Sequence, residues 1–127
     1  MAEGGLIPDG GGTWSLQRLI GRAKALGMAV TAEPVPAEEA ERVGLIWKVV
    51  EDGDLMEEAG TLAARFAAGA GLGYAKLKEL MLAGTVNDLD TQLDLERDTQ
   101  AELGRSEDYA EGTRAFLEKR KPVFKGK

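Results

Sequence analysis

The sequence predicts a mainly α-helical chain, and three observations about its apolar residues support this. Hydrophobic residues make up 43% of the 127 residues and aromatic residues only 6%, so alanine and leucine supply most of the apolar bulk, which suits packed helices better than sheets. Between Leu55 and Ala68 the apolar residues recur at helical spacing. The β-forming residues are concentrated in one hexapeptide, residues 45–50, and a single strand cannot form a sheet.

The first part of the chain is predicted to hold short elements. Three helices are expected, over residues 16–20, 22–31 and 37–43. Thr13 or Ser15 is a suitable N-cap for the first helix, and Gly21 separates it from the second. Pro36 suits the first position of the third helix. The hexapeptide at 45–50 is predicted to be extended.

The second part is predicted to hold four longer helices. They are expected over residues 55–68, 74–82, 89–103 and from Ser106 to about Lys119, before Pro122. Asn87 or Asp88 can cap the third of these, and Ser106 can cap the last. In the second of them, Leu77, Leu80 and Met81 are expected to face inward.

Composition excludes several kinds of chemistry and several partners. The net charge of −6 makes nucleic acid a poor partner. The chain has no cysteine and no histidine, which removes disulfides, thiolate metal sites and the commonest general base. We therefore expect no metal and no redox cofactor, and proton chemistry that falls to Asp, Glu, Lys or Tyr. No apolar run is long enough to span a membrane, and the opening MAEGG lacks the regions of a signal peptide, so a cytoplasmic location is expected.

One acid near the start of the chain has unusual neighbours. Asp9 stands between Pro8 and the glycines Gly10, Gly11 and Gly12 in the segment GLIPDGGGTW. These are ordinary turn residues, and a simple turn explains them. Proline and glycine also let a backbone pass close to a ligand, and a carboxylate in an apolar site is a usable proton shuttle. The residues by themselves leave both interpretations open.

Four segments in order resemble the C-terminal half of the enoyl-CoA hydratase/isomerase (crotonase) family. They are GLIPDGGGTW, RLIGRAKALGMAV, PAEEAERVGLIWKVV and EDYAEGTRAFLEKRKPVFKGK. The resemblance runs from about Gly5 to Lys127 and implies the C-terminal part of the crotonase fold. In that fold, residues 1–68 would end the spiral of ββα units, and residues 69–127 would form the helical region that makes trimers, often paired into hexamers.

The resemblance also implies a substrate and site residues. The acid directly after the proline most resembles the ring-epoxide isomerases of phenylacetyl-CoA breakdown, with broader enoyl-CoA isomerases close behind. In the isomerase branch the residue matching Asp9 acts as acid or base on the acyl chain. The matching segment passes beside the thioester, which places Pro8, Gly10 and Gly11 at the substrate. On the last helix, the residues matching Phe116 and Lys119 reach the adenine and phosphates of CoA. CoA is part of the substrate, so the resemblance implies no separate cofactor. For the basic residues around Lys119 at the end of the chain, a solvated basic tail is the simpler interpretation.

The resemblance implies that half of the active site lies elsewhere. The backbone N–H groups that form the family's oxyanion hole match positions upstream of this sequence, as do the glutamates of the hydratases, the second of which would align near Met1. We therefore expect an isomerase-type protein that is inactive alone. The alternatives are an enoyl-CoA hydratase fragment, a non-catalytic helical oligomerisation module, or a subunit whose partner supplies the spiral. A homo-oligomer, trimer or hexamer, is expected, and the acyl group is left open.

Overall fold

The computed structural model describes residues 5–127, so Met1 and its predicted alignment lie outside the described residues. The described chain is helical and contains no β-strand. It forms two compact units. One ends at Leu55 and is here named the N-unit, and the other, Met56–Lys127, is the C-unit. The predicted roles of residues 1–68 and 69–127 concern a larger assembly and stay predictions.

The N-unit contains three helices. They are α1 (Gly12–Ile20), α2 (Arg22–Thr31) and α3 (Ala37–Arg42). α1 and α2 contact each other on either side of Gly21, as predicted. The predicted cap of α1 is wrong, because Gly11 is the N-cap residue and no side chain caps it, while the Ser15 hydroxyl donates instead to the Gly11 carbonyl at 3.0 Å. Pro36 is the N-cap residue of α3 rather than its first helical residue.

The predicted extended segment at 45–50 is not a strand. Residues 45–47 form a bend and residues 48–50 have no regular secondary structure. The backbone bonds to α3 instead, because Ile46 N–H donates to the Ala40 carbonyl at 3.3 Å and Val49 N–H donates to the Glu41 carboxylate at 3.2 Å. A strand needs a second strand to pair with, and none lies within residues 5–127.

Four helices form the C-unit, the first of which starts at the boundary residue. They are α4 (Leu55–Ala67), α5 (Gly71–Ala83), α6 (Leu89–Leu103) and α7 (Glu107–Leu117). The predicted caps at Asp88 and Ser106 are confirmed, since their side chains accept the N–H groups of Thr91 at 2.8 Å and Tyr109 at 3.0 Å. The Thr91 hydrogen bond lowers the pKa of Asp88 below its ordinary value. No helix within residues 5–127 is both long and apolar enough to cross a membrane.

Small side chains form the buried apolar part of each unit. Within residues 5–127 the buried apolar residues are Ala25, Ala40 and Ala115. Leu77, Leu80 and Met81, predicted to face inward, line an open groove of about 430 Å³ between α5 and α6. The prediction is wrong for Leu77 and Met81, which are 55% and 70% exposed, whereas Leu80 is half-buried. Other large apolar side chains are exposed too, among them Ile7, Leu26, Val30, Trp47, Met56, Leu82, Val86 and Phe116.

Candidate functional site

Asp9 begins a tight turn that explains the two glycines after it. The Gly12 N–H donates to the Asp9 carbonyl at 2.9 Å, which closes a four-residue turn. The two central residues, Gly10 and Gly11, have φ of +59° and +86°. Positive φ at both central positions is the type I′ pattern, which non-glycine residues adopt only at a cost. The simple turn interpretation is therefore correct for the backbone.

This turn holds the Asp9 carboxylate in the open at the start of α1. The Gly11 carbonyl accepts the N–H groups of Trp14 at 3.0 Å and Ser15 at 2.9 Å, so the turn continues directly into the helix. Asp9 is exposed, and among the described residues no side chain or backbone group forms a hydrogen bond or ion pair with its carboxylate. The backbone of Asp9 is held by the turn, and its carboxylate is free to accept a hydrogen bond from a ligand.

Pro8 forms part of a small cavity beside the turn. The cavity has a volume of about 200 Å³ and lies between α1 and α2, where Leu16, Leu26 and Ala29 contribute to its wall. Gly12 allows the close approach on which this wall depends, because a Cβ there would lie 3.3 Å from the Pro8 Cβ. The space can hold a small apolar group next to the Asp9 turn.

The second group of predicted residues lies at the end of α7. Arg120 N–H donates to the Ala115 carbonyl at 3.0 Å and Lys119 N–H donates to the Phe116 carbonyl at 3.2 Å. These two bonds are those of a Schellman motif, whose last residue but one takes the left-handed conformation and is usually glycine. Here that residue is Lys119, with φ of +53°. Phe116 and Lys119 thus belong to one rigid turn of the C-unit, while Pro8, Asp9, Gly10 and Gly11 belong to the N-unit.

The basic residues near Lys119 fall into two classes. The cluster consists of Arg114, Lys119, Arg120, Lys121, Lys125 and Lys127. Arg120 pairs with Glu111 at 2.6 Å, and Lys125 and Lys127 approach Glu107 at 3.7 and 3.4 Å. The other three form no ion pair within the described residues. Lys119 is therefore one of the cations of this cluster whose charge is not already engaged.

Phe116 presents its ring to solvent beside other aromatic side chains. It is 82% exposed and lies on the wall of an open cavity of about 510 Å³ to which Tyr109 and Phe124 also contribute. The Phe124 ring packs beside Gly112, where an added Cβ would lie 3.6 Å from it, an ordinary van der Waals contact. A flat aromatic ligand would find apolar rings here and the free Lys119 one turn away.

The tail after α7 folds back along the helix and is fixed by two acids. Asp108 is 4% exposed, and its carboxylate accepts the N–H groups of Lys125 at 2.6 Å and Gly126 at 2.9 Å. The Glu111 carboxylate accepts the Val123 N–H at 2.9 Å. We name residues 120–127 the strap. The Arg120 guanidinium first, and the Val123 N–H next, hold the pKa of Glu111 at about 2.

The decisive comparison is with models of protein families. The model described as enoyl-CoA hydratase/isomerase matches residues 2–127, nearly the whole chain. The chain belongs to the enoyl-CoA hydratase/isomerase family.

Two members of the family from bacteria are each 50% identical to the chain over 123 residues. One is the 1,2-epoxyphenylacetyl-CoA isomerase of Escherichia coli K12, of which the match covers 47%, and the other is named "Probable enoyl-CoA hydratase", from Rhodobacter capsulatus, of which it covers 48%. Each match covers 97% of this chain. The chain therefore spans about half the length of the curated relatives it matches.

Solved structures of family members share the fold of the chain. An enoyl-CoA hydratase from Polaromonas sp. JS666 superposes with a TM-score of 0.92 at 37% identity, covering 98% of this chain and 48% of the other. An enoyl-CoA hydratase from Bacillus anthracis gives a TM-score of 0.90 at 35% identity, covering 96% of this chain and 47% of the other. The prediction of a helical, C-terminal part of the crotonase fold is confirmed.

Sequence reasoning missed the residues that hold the strap. In the sequence, Asp108 and Glu111 resemble ordinary acidic residues on the surface of a helix. The helix dipole alone explains an acid such as Asp108 in the first turn of α7. The spacing of nine residues between Glu111 and Arg120 corresponds to no pattern within a helix. The signal becomes visible only once the chain is known to reverse after Leu117. Within the described residues, no three His, Cys, Asp or Glu side chains are grouped so that they could hold a metal.

Proposed function

We propose that the chain acts on an acyl-CoA thioester by isomerase-type proton transfer, with Asp9 as the acid/base group. The observation that carries the proposal is the Asp9 carboxylate, unpartnered on a type I′ turn beside an apolar cavity. Its ionised form takes a proton from one carbon of the acyl group and returns it to another, so the carboxylate ends as it began. The relative from Escherichia coli, whose name describes an acyl-CoA isomerase, supports this assignment.

The turn at Lys119 supports binding of the CoA portion at the end of α7. A lysine with φ of +53° costs conformational energy that a glycine avoids. Ala32 has the same φ of +53° without a functional side chain, so the support comes from the groups that the turn at Lys119 presents. An unpaired ammonium suits a phosphate, and the exposed Phe116 ring one turn away suits adenine. Pro8, Gly10 and Gly11 would line the path of the thioester.

We further propose that these 127 residues do not catalyse turnover alone. The chain spans about half the length of its relatives. An enolate-like intermediate needs hydrogen-bond donors aimed at the thioester oxygen, and the family resemblance assigns these donors to the half that is not matched here. Asp9 is exposed, whereas a working acid/base group is shielded from bulk water. A second polypeptide segment would supply both the donors and the cover.

Two other candidate functions each have one observation in their favour. Hydration of an enoyl-CoA is supported by the relative from Rhodobacter capsulatus, which is named a hydratase and is as similar as the isomerase. A non-catalytic oligomerisation module, trimeric or hexameric, is supported by the exposed apolar side chains of α5 and α6, since such faces are usually covered.

The experiment that tests the proposal restores the unmatched half. The N-terminal half of the Escherichia coli relative is joined to this chain, and isomerisation of a Δ3-enoyl-CoA and hydration of crotonyl-CoA are both measured. We expect isomerisation by the chimera, a loss of about 10²–10⁴-fold in Asp9→Asn, and no turnover by the chain alone. Asp52→Asn is the matched control, because Asp52 is also an exposed turn acid followed by glycine in the N-unit.

Three outcomes would contradict the proposal. Turnover by the 127 residues alone would overturn the claim of incompleteness. Isomerisation by the chimera that is equal in Asp9→Asn and Asp52→Asn would remove Asp9 from the chemistry. Hydration that exceeds isomerisation would favour the hydratase.

A further inference from the structure

The side chain of Arg120 bends back over α7 and joins three parts of the chain. Its terminal nitrogens bond the two carboxylate oxygens of Glu111 at 2.6 and 3.0 Å. Its Nε bonds Glu118 at 2.6 Å, and one terminal nitrogen also donates to the Lys121 carbonyl at 3.1 Å. A two-point contact between guanidinium and carboxylate fixes both distance and orientation.

Glu111 extends this arrangement to the strap. The carboxylate oxygen that lies 2.6 Å from Arg120 also accepts the Val123 N–H at 2.9 Å. Helix, turn and strap are therefore joined at one carboxylate. The residues on both sides of Lys119, namely Glu118 and Arg120, are each held by these contacts, whereas the Lys119 side chain forms no ion pair within the described residues. We name the contacts among Glu111, Arg120 and Val123 the clamp.

We propose that Arg120 is a positioning residue for CoA binding, which acts by holding the turn that presents Lys119. This inference rests on the proposed function, in which Lys119 binds the phosphates. A left-handed lysine persists only where its surroundings determine the backbone. The Schellman bonds fix one side of the turn, and the clamp fixes the other. A turn fixed before the ligand arrives loses less freedom on binding, which strengthens the affinity.

Because of the clamp, a positioning role of Arg120 can be distinguished from direct binding of phosphate by its guanidinium. If Arg120 itself bound phosphate, Glu111→Gln would free its guanidinium and strengthen binding. If Arg120 positions Lys119, Glu111→Gln weakens binding, because the turn loosens while every positive charge stays in place. Arg120→Lys separates the two in the same way, since lysine keeps the charge and loses the two-point contact.

The test measures binding of a CoA ester to the 127-residue chain by calorimetry. The proteins are the wild type, Lys119→Met, Arg120→Met, their double variant, Arg120→Lys and Glu111→Gln. We expect Lys119→Met to weaken binding about tenfold, as for loss of one charged hydrogen bond. Arg120→Met, Arg120→Lys and Glu111→Gln should each weaken it several-fold. In the double variant we expect no loss beyond that of Lys119→Met, because a residue that acts through Lys119 has no effect once Lys119 is gone.

Every other outcome contradicts either the positioning role of Arg120 or the proposed CoA site. Additive losses in the double variant, or tighter binding by Glu111→Gln, overturn the positioning role and leave the CoA site intact. No binding by the wild type, or no effect of Lys119→Met, overturns the proposed CoA site, and the positioning role with it. Hydrogen exchange at the Val123 amide tests the clamp without ligand, since Glu111→Gln should accelerate that exchange. Unchanged exchange would contradict the clamp.

Discussion

Lys119 and Gly44 occupy the same position of the same helix-ending motif. At the end of α3, Leu45 N–H donates to the Ala40 carbonyl at 2.8 Å and Gly44 N–H donates to the Glu41 carbonyl at 2.9 Å, with φ of +79° at Gly44. At the end of α7 the same pair of bonds encloses Lys119. The left-handed position of this motif is thus occupied by glycine at the end of α3 and by lysine at the end of α7.

Lys119→Gly should stabilise the fold while it weakens ligand binding. Glycine relieves the left-handed strain of about 1 kcal/mol, and its greater freedom when unfolded offsets part of this, so the free energy of unfolding should rise by about 0.5 kcal/mol. Thermal unfolding followed by circular dichroism measures it. Ala32→Gly is the control, since Ala32 also has φ of +53°, and it should stabilise the fold without changing CoA-ester affinity. A destabilised Lys119→Gly would show that the lysine side chain supports the fold.

Gly11→Ala should destabilise the Asp9 turn. Its φ of +86° and the absence of any neighbour within 4 Å mean that the cost is conformational rather than steric. We expect a loss of about 1–2 kcal/mol in the free energy of unfolding, measured by urea titration with tryptophan fluorescence. Both tryptophans, Trp14 and Trp47, lie in the N-unit and report on it.

Gly27→Ala is the matched control, for which a change of opposite sign in the free energy of unfolding is expected. Gly27 lies inside α2 with nothing within 4 Å of an added Cβ, so alanine should raise the free energy of unfolding by about 1 kcal/mol. Equal signs for Gly11→Ala and Gly27→Ala would contradict the turn assigned to Asp9.

Asp108→Asn should release the end of the strap. The carboxylate accepts two backbone N–H groups in a buried position, whereas the amide can accept with only one of its two atoms. Leaving one N–H unsatisfied should cost about 2 kcal/mol, and carboxypeptidase should then remove the last residues faster. Glu107→Gln is the control, because Glu107 forms only exposed ion pairs, which contribute little. Equal digestion of both variants would contradict this account of the strap.

Acid should weaken the clamp over a defined range of pH. The folded chain lowers the pKa of Glu111 from 4.5 to about 2, so its contribution to stability is complete above about pH 4.5 and is lost as the pH falls towards 2. In Glu111→Gln this part of the dependence of stability on pH should disappear, as measured by urea unfolding between pH 2 and 6. An unchanged acid limb would show that the Glu111–Arg120 contact is not formed in solution.

Local signals in the sequence predicted most helix ends. Asp88 and Ser106 cap their helices because each side chain reaches an N–H group three residues later, a relation that the sequence shows directly. The cap of α1 was missed because backbone geometry replaces the side chain there, with Gly11 in the left-handed region. The prediction of a strand at 45–50 is wrong because a strand depends on a pairing partner, and local propensity does not show whether one is present.

The candidate site likewise combines features that the sequence predicts with features that only the structure shows. The proline and glycines around Asp9 predict its turn, whereas they leave the role of its carboxylate open, and only the family resemblance favours acid/base chemistry. The clamp was invisible, since Glu111, Arg120 and Val123 meet only after the chain reverses at Lys119. Leu77 and Met81 are exposed although they lie on the apolar side of α5. Helical spacing predicts which side of a helix is apolar, but it does not predict what covers that side.

Binding of CoA esters tests most directly whether Lys119 binds the phosphates of CoA. Calorimetry compares crotonyl-CoA with crotonyl-pantetheine, which lacks the nucleotide, on the wild type and on Lys119→Ala. We expect the wild type to bind the CoA ester about tenfold more tightly than the pantetheine ester, and Lys119→Ala to lose most of this preference while Phe116 retains the remainder. A preference for CoA that is undiminished in Lys119→Ala would contradict the phosphate-binding role of Lys119, and no preference in the wild type would contradict the assignment of the CoA site to the end of α7.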